Sequence, residues 1–229
     1  MRKNISLLIL INAVFMTVSQ GDYKSNEVFC SIFTGVTNSY GKRLEKSSNE
    51  TTINNNYKMN NTNSFNGVAV GYFHRCQNNF STAIEGTIAY DSFSSTCSVN
   101  QIDGCDYNLT LNSRSNITLG MRAKLGFVCC EKWFLYCLLG TQTLNVEYKV
   151  NTVAIAGPDY YNGAKSKRLY GFVCGLGVER AISEHWRLGM EVHHVTYQKI
   201  DINPDMQSYS RLNTRLKALT ALAKLSYSF

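Results

Sequence analysis

Between Leu169 and Tyr197 alternate residues are apolar over two runs, 170–178 and 186–192. Tyr170, Phe172, Cys174, Leu176 and Val178 make one face, and Gly171, Val173, Gly175, Gly177 and Glu179 make the other. A short polar turn at Ser183-Glu184-His185 follows. The alternation then resumes with Trp186, Leu188, Met190 and Val192 opposite Arg187, Gly189, Glu191 and His193. A period of two is the signature of a strand, whose side chains point alternately to opposite faces. This stretch therefore predicts a hairpin with one greasy face and one face of glycines and single charges. A soluble sheet would bury the first face and wet the second. Glycines beside lone charges suit a crowded, enclosed interior instead, which leaves the large apolar face outside.

The same pattern predicts six more strands. The first, Glu27 to Tyr40, leaves its apolar face open: Val28, Ile32 and Val36, or Phe29 and Phe33. Ser64 to His74 turns Val68, Val70 and Tyr72 outward. Phe80 to Asp91 turns out Phe80, Thr82, Ile84, Ile88 and Tyr90, with Ala83, Glu85, Thr87 and Ala89 inside. Ser115 to Val128 alternates most cleanly, with Ile117, Leu119, Met121, Ala123, Leu125 and Phe127 out and Thr118, Gly120, Arg122, Lys124 and Gly126 in. Trp133 to Tyr148 begins apolar on both faces. Asn213 to Phe229 presents Leu219, Ala221, Ala223, Leu225, Tyr227 and Phe229 outward and Thr220, Lys224, Ser226 and Ser228 inward.

Long polar connections (Gly41 to Asn63, Ser92 to about Ser113, Lys149 to about Ser166, Ile200 to about Leu212) alternate with short turns at 75–79, 129–132 and 183–185. Short turns at one end and long loops at the other describe an all-β fold, an eight-stranded antiparallel up-and-down transmembrane β-barrel. Each apolar stretch approaches the roughly 9–11 residues a tilted strand needs to cross hydrocarbon. Closure is required, because an unpaired backbone group in lipid costs several kcal/mol. Past residue 20 no apolar run approaches the roughly 18 residues of a spanning helix, so a chain in the membrane crosses as strands.

The chain opens on Arg2 and Lys3, an apolar run from Ile5 to Val18, and small residues at Thr17, Ser19 and Gly21. This reads as a secretory signal peptide over residues 1–21, cleaved after Ser19 or Gly21, with the barrel occupying 22–229. The formal net charge of +7 comes from scattered Lys and Arg in an exported chain, which points to anionic headgroups and lipopolysaccharide phosphates and away from nucleic acid. Eight cysteines enter an oxidising compartment. None has zinc-ligand spacing, so neither metal nor cofactor is expected. Cys97 and Cys105, flanking a polar loop, are the candidate disulfide. Cys76, Cys129 and Cys130 sit at turns, where pairing across the rim or between protomers is open; Cys30, Cys137 and Cys174 read as small packing residues within strands.

Gly171, Gly175, Gly177, Glu179, Trp186, Leu188 and Glu191 resemble the small outer-membrane β-barrel family that includes opacity-type surface proteins and the OmpA-like transmembrane domain. The closing LAKLSYSF, with Leu225, Tyr227 and Phe229 at alternate positions, is similar to the C-terminal signal that the barrel-assembly machinery reads in that family. The resemblance implies a bacterial outer-membrane location. With no further domain after Phe229, it implies no cell-wall tethering. The high cysteine count departs from the family.

Parity places Glu85, Arg122, Lys124, Glu179, Arg187, Glu191 and Lys224 inside. An eight-stranded barrel is just wide enough for side chains to fill, so these charges are expected to pair and hold bound water. That arrangement predicts a plugged lumen and a structural or surface protein of adhesion or antigen type, acting through four extracellular loops on a host-surface ligand. A narrow ion-conducting pore is the alternative. A lipid A-modifying enzyme is the second alternative, because lipid A deacylases resemble this architecture and use an outward His and Ser. Here His194 and Thr196 occupy such positions, yet Thr replaces Ser, Tyr197 replaces the following Asn, and no outward acid is evident. The expectation is no enzyme, and His193-His194 reads as an interfacial pair at headgroup depth.

Overall fold

The computed structural model describes residues 26–47, 59–76, 79–91, 94–102, 105–154, 160–202 and 210–229. The strands are β1 (Asn26–Ser47), β2 (Met59–Arg75), β3 (Phe80–Asp91), β4 (Ser94–Ile102), β5 (Cys105–Cys129), β6 (Trp133–Ala154), β7 (Tyr160–Ala181), β8 (Trp186–Ile202) and β9 (Ser210–Ser228). Consecutive strands pair antiparallel except β3 with β4, β9 returns to β1, and β3 pairs β5, closing the sheet. The result is an eight-stranded up-and-down barrel. Its third wall strand comes in two pieces: β3 lies against the lower part of β5, and β4 lies against its upper part, from Ser94 opposite Asn112 to Ile102 opposite Cys105.

The register measures the tilt. Beginning at Tyr40, the paired positions run through Lys217, Thr196, Phe172, Thr141, Met121, Gly86 and Val70 and return to β1 at Cys30, ten residues below the start. A stagger of that size over eight strands requires the strands to lean by about 40°. On β5 the outward positions from Ile117 to Phe127 then cover about 33 Å of strand and about 25 Å of height, the thickness of an outer-membrane apolar band.

The outer surface is made of residues that a soluble protein would hide. Ile32, Val70, Ile84, Met121, Phe127, Leu176 and Met190 are each more than half exposed. Aromatic rings collect at both borders. At the turn end Phe80 meets Phe127 at 5.5 Å, and Tyr227 meets Trp186 at 5.1 Å and Phe229 at 5.2 Å. At the loop end Tyr40 bonds His194 and Asn116 bonds Tyr90. With lipid outside and every wall strand paired, the barrel is built to span a bilayer.

The open question in β1 is answered by closure: Val28, Ile32 and Val36 face out, while Phe29 and Phe33 fill the interior. Each of those rings lies across from an inward glycine, Phe29 over Gly71 and Phe33 over Gly67, where a Cβ would collide with the ring. The doubly apolar start of β6 resolves with Leu135, Cys137 and Leu139 outside and Phe134, Tyr136 and Leu138 inside.

The expected long loops need correction, because paired strand runs far into them. β1 continues to Ser47 and β2 begins at Met59; β6 reaches Ala154 and β7 starts at Tyr160; β8 reaches Ile202 and β9 starts at Ser210. The stretch read as the second loop is largely the β4–β5 hairpin. Polar alternation is no obstacle to a sheet whose two faces both meet water, so polarity alone misread these segments. The Asp103-Gly104 dipeptide between Ile102 and Cys105 was a hairpin signal available in the sequence. Register shifts at Ser113/Thr118 and Thr196/Lys199 fall where the strands leave the apolar band. The signal-peptide region and Asn54-Asn55-Asn56 lie outside the described residues.

Candidate functional site

The lumen is layered. At the turn end Arg187 on β8 pairs with Glu27 on β1, and the Arg187 guanidinium lies 5.1 Å over the Phe73 ring. Phe73 packs edge-on against Phe134 at 5.2 Å, and Phe134 stacks on Tyr136 at 4.9 Å.

Above this floor sits a charge plane. Lys124 on β5 donates to Glu179 on β7 at 2.8 Å, lies 3.1 Å from Glu85 on β3, and sits 4.5 Å over the Tyr136 ring. Lys224 on β9 donates to Glu85 at 2.5 Å from the far wall. Arg122 on β5 donates to Glu191 on β8 at 2.8 Å, and Glu191 also accepts from Tyr136 at 3.3 Å and contacts the His193 ring at 2.9 Å. Three cations and three carboxylates thus cancel across the lumen; Lys124–Glu179, Lys224–Glu85 and Arg122–Glu191 join strands that are not neighbours, and Lys124–Glu85 joins the adjacent β5 and β3. All seven residues assigned to the interior by parity are buried, and six meet in this plane; Arg187 stands apart with Glu27.

Backbone makes room for the charges. A Cβ at Gly189 would sit 2.6 Å from Cγ of Glu179, and one at Gly177 would strike the Tyr136 ring. Small inward residues on β7 and β8 are therefore what allows long polar side chains on their neighbours.

The loop-side half closes with apolar groups. Gln142 donates to Tyr197 at 2.5 Å. Beside them Leu144, Val146, Leu169, Val173, Val195 and Leu216 are each at most 1% exposed. A layer of aliphatic side chains thus lies over the charge plane, while the Asp91 carboxylate on β3 is buried with Oδ1 unpaired and Arg122 keeps Nε and Nη2 without a hydrogen-bond partner.

Three residues around the charge plane and its floor are not among the interior positions read from parity, and neither are Gln142 and Tyr197 above it. Glu27 was hidden by the ambiguity of β1, and Tyr136 by the doubly apolar start of β6. His193 shares the parity of Glu191, which was signal enough. The histidine pair expected at headgroup depth is in fact split by the wall. His193 is buried in the lumen, whereas His194 is outside, 2.9 Å from Tyr40 and 3.4 Å from the Thr196 hydroxyl.

The register does not bring the candidate disulfide together. Cys97 is opposite Leu109 and Cys105 is opposite Ile102, so about 13 Å of β5 separates Cys105 from the partner position of Cys97. A disulfide spans less than about 7 Å between Cα atoms. Cys76, Cys129 and Cys130 at the turn end are free thiols, as are Cys30, Cys137 and Cys174, all three of which face outward. Leu225, Tyr227 and Phe229 lie on the outer face of the last strand, where the Phe229 amide donates to the Val28 carbonyl at 3.0 Å. Among the described residues no group of His, Cys, Asp and Glu is arranged to hold a metal.

No protein-family model matches the chain, and no curated protein matches it. Among solved structures it is similar to Ail, the attachment invasion locus protein of Yersinia pestis, at 13% identity over 89% of this chain and 99% of that one, with a TM-score of 0.40. It is similar to the outer membrane protein OprG of Pseudomonas aeruginosa at 11% identity over 91% and 98%, TM-score 0.40. It is also similar to the outer membrane protease OmpT of Escherichia coli at 8% identity over 93% and 99%, TM-score 0.37. Likenesses this distant assign no role to the chain. Its own register, apolar exterior and filled polar interior give it the architecture of a small outer-membrane β-barrel.

Proposed function

We propose that this protein is an outer-membrane barrel with a plugged lumen that acts at the cell surface, through its loop end, as an adhesion- or antigen-type protein. The observation that carries the reading is the interior: a charge plane balanced across the lumen by Glu85, Glu179 and Glu191 against Arg122, Lys124 and Lys224, capped by buried aliphatic side chains. A second feature favours the surface role over simple shielding. β6 and β7 are 22 residues each. At about 3.3 Å per residue and a lean of about 40°, such a strand rises roughly 55 Å, about twice the apolar band. The surplus is paired sheet held above the bilayer, a rigid platform for binding segments. The partner classes are outer-leaflet lipid and lipopolysaccharide, the barrel-assembly machinery through Leu225, Tyr227 and Phe229, and a ligand on a host surface.

Two experiments test it. Purified barrel in planar bilayers is expected to show no stable, reproducible large conductance; such a conductance would replace the plug with the pore. Cells carrying the protein are expected to bind host cells, and deletion of the segments between β1 and β2 or between β6 and β7 to reduce that binding while the barrel still shifts on unheated gels. Unchanged binding after both deletions refutes the surface role. Loss of an acyl chain from lipid A in cells carrying the protein would instead favour the enzyme reading at His194 and Thr196.

A further inference from the structure

One sector of the outer wall, formed by β1, β9 and β8, differs from the rest in two ways. At the loop-side border it is basic. Lys217 lies opposite Tyr40 on one side and Thr196 on the other, and Arg215, one outward step higher, lies opposite Lys199. Arg215 and Lys199 are exposed and Lys217 is half-buried. None of the three pairs with an acid whose side chain is described; Asp201, opposite Asn213, follows two residues beyond Lys199 on β8. Lys42 occupies the register position beside Arg215 on β1. Below it the Tyr40 hydroxyl and His194 are joined at 2.9 Å, a polar shelf at the edge of the apolar band.

Lower on the same three strands the wall is hollow. Ala223 stands where other strands carry large outward residues, in a furrow of about 200 Å³ lined by Ile32, Phe33, Thr34, Leu188, Ala223, Lys224 and Leu225. Thr34 does not make this furrow polar, because its hydroxyl is spent on Asn66 at 2.5 Å. From Lys217 to Ala223 is six residues along β9. That corresponds to about 20 Å of strand and about 15 Å of depth, near the middle of the apolar band when Lys217 stands at its upper border. The cations thus stand at the headgroup level of the same leaflet whose acyl tails reach the furrow.

We propose that this sector is a binding site for one lipid of the loop-side leaflet that carries a phosphate on its headgroup. Lys199, Arg215 and Lys217 take the phosphate, and the furrow at Ala223 takes an acyl chain. The charge decides the occupant: a zwitterionic headgroup would leave three cations unmatched at the border, whereas a phosphorylated glycolipid neutralises them. Each cation near an anionic surface adds about fivefold to affinity. The furrow adds contacts for a chain that a convex wall would deny. The site rests on the barrel spanning a bilayer, and it is independent of what the loops bind.

Native mass spectrometry of the detergent-solubilised full chain tests it, with a diphosphorylated lipid A, its dephosphorylated form and phosphatidylethanolamine as probes. Wild type is expected to retain one equivalent of the phosphorylated lipid at concentrations where the other two are lost. Arg215→Ala/Lys217→Ala is expected to weaken that retention by at least tenfold, and Ala223→Phe to weaken it without changing the preference for phosphate. Lys132→Ala, at the opposite border, is expected to leave it unchanged. Equal retention of the dephosphorylated lipid, or variants indistinguishable from wild type, overturns the site. So does a dimer that the same variants dissociate, since the sector would then be a contact between copies. Heat-modifiable migration of every variant is the separate readout of the barrel itself, so a loss of that shift indicts the fold and not the lipid site.

Discussion

Replacing Lys124 by Met removes the cation at the centre of the lumen and leaves its neighbours in place. Glu179 keeps only Lys224, at 3.8 Å, which is already committed to Glu85 at 2.5 Å. Three carboxylates then face two cations in an enclosed space. Breaking one partner of a buried pair costs about 3–5 kcal/mol, and Glu179→Met should cost a similar amount for the opposite reason. The double variant Lys124→Met/Glu179→Met behaves differently, because Arg122–Glu191 and Lys224–Glu85 remain intact at 2.8 and 2.5 Å and the plane is again neutral. Its cost should fall short of the sum of the singles by about 3 kcal/mol or more. Urea unfolding of the barrel refolded in lipid vesicles measures this through Trp133 and Trp186, the two tryptophans of the chain. Single variants within about 1 kcal/mol of wild type, or strictly additive costs, would refute an interior organised by paired charges.

Other outcomes follow from the same geometry. Met121→Arg, on the outer face near mid-band and 61% exposed, should destabilise the vesicle-inserted barrel by about 2–4 kcal/mol, whereas in a water-facing position the change would be nearly neutral. Gly177→Val should push the Tyr136 ring out of the lumen at a cost of about 1–3 kcal/mol in the same urea assay, and Tyr136→Ala in that background should recover part of it. A charged, membrane-impermeant maleimide should modify Cys76, Cys129 and Cys130 in vesicle-inserted protein and spare Cys30, Cys137 and Cys174, as peptide mass spectrometry would show; rapid labelling of the second group would contradict a lipid-facing wall.

The period-two alternation was enough to assign the faces of β3, β5, β7, β8 and β9, because a one-residue slip would have moved a row of Leu, Ile and Met into the lumen and a row of charges into lipid. Inward positions of Glu85, Arg122, Lys124, Glu179, Arg187, Glu191 and Lys224 followed from that parity alone. Local pattern could not say which charges meet. Glu85 and Lys224 are 139 residues apart and Arg122 and Glu191 are 69 apart. Their pairing depends on a ten-residue stagger that exists only when the sheet closes. Closure also chose the face of β1, where Phe29 and Phe33 needed the space left by Gly71 and Gly67 on the next strand. The separation of His193 from His194, by contrast, needs only parity, since adjacent residues of a strand face opposite ways. The length of the strands above the membrane was beyond reach of the sequence, since sheet wetted on both sides carries no hydrophobic period. Alternation is a property of neighbours along the chain and survives in one dimension; register, stagger and the meeting of opposite walls are properties of the closed cylinder.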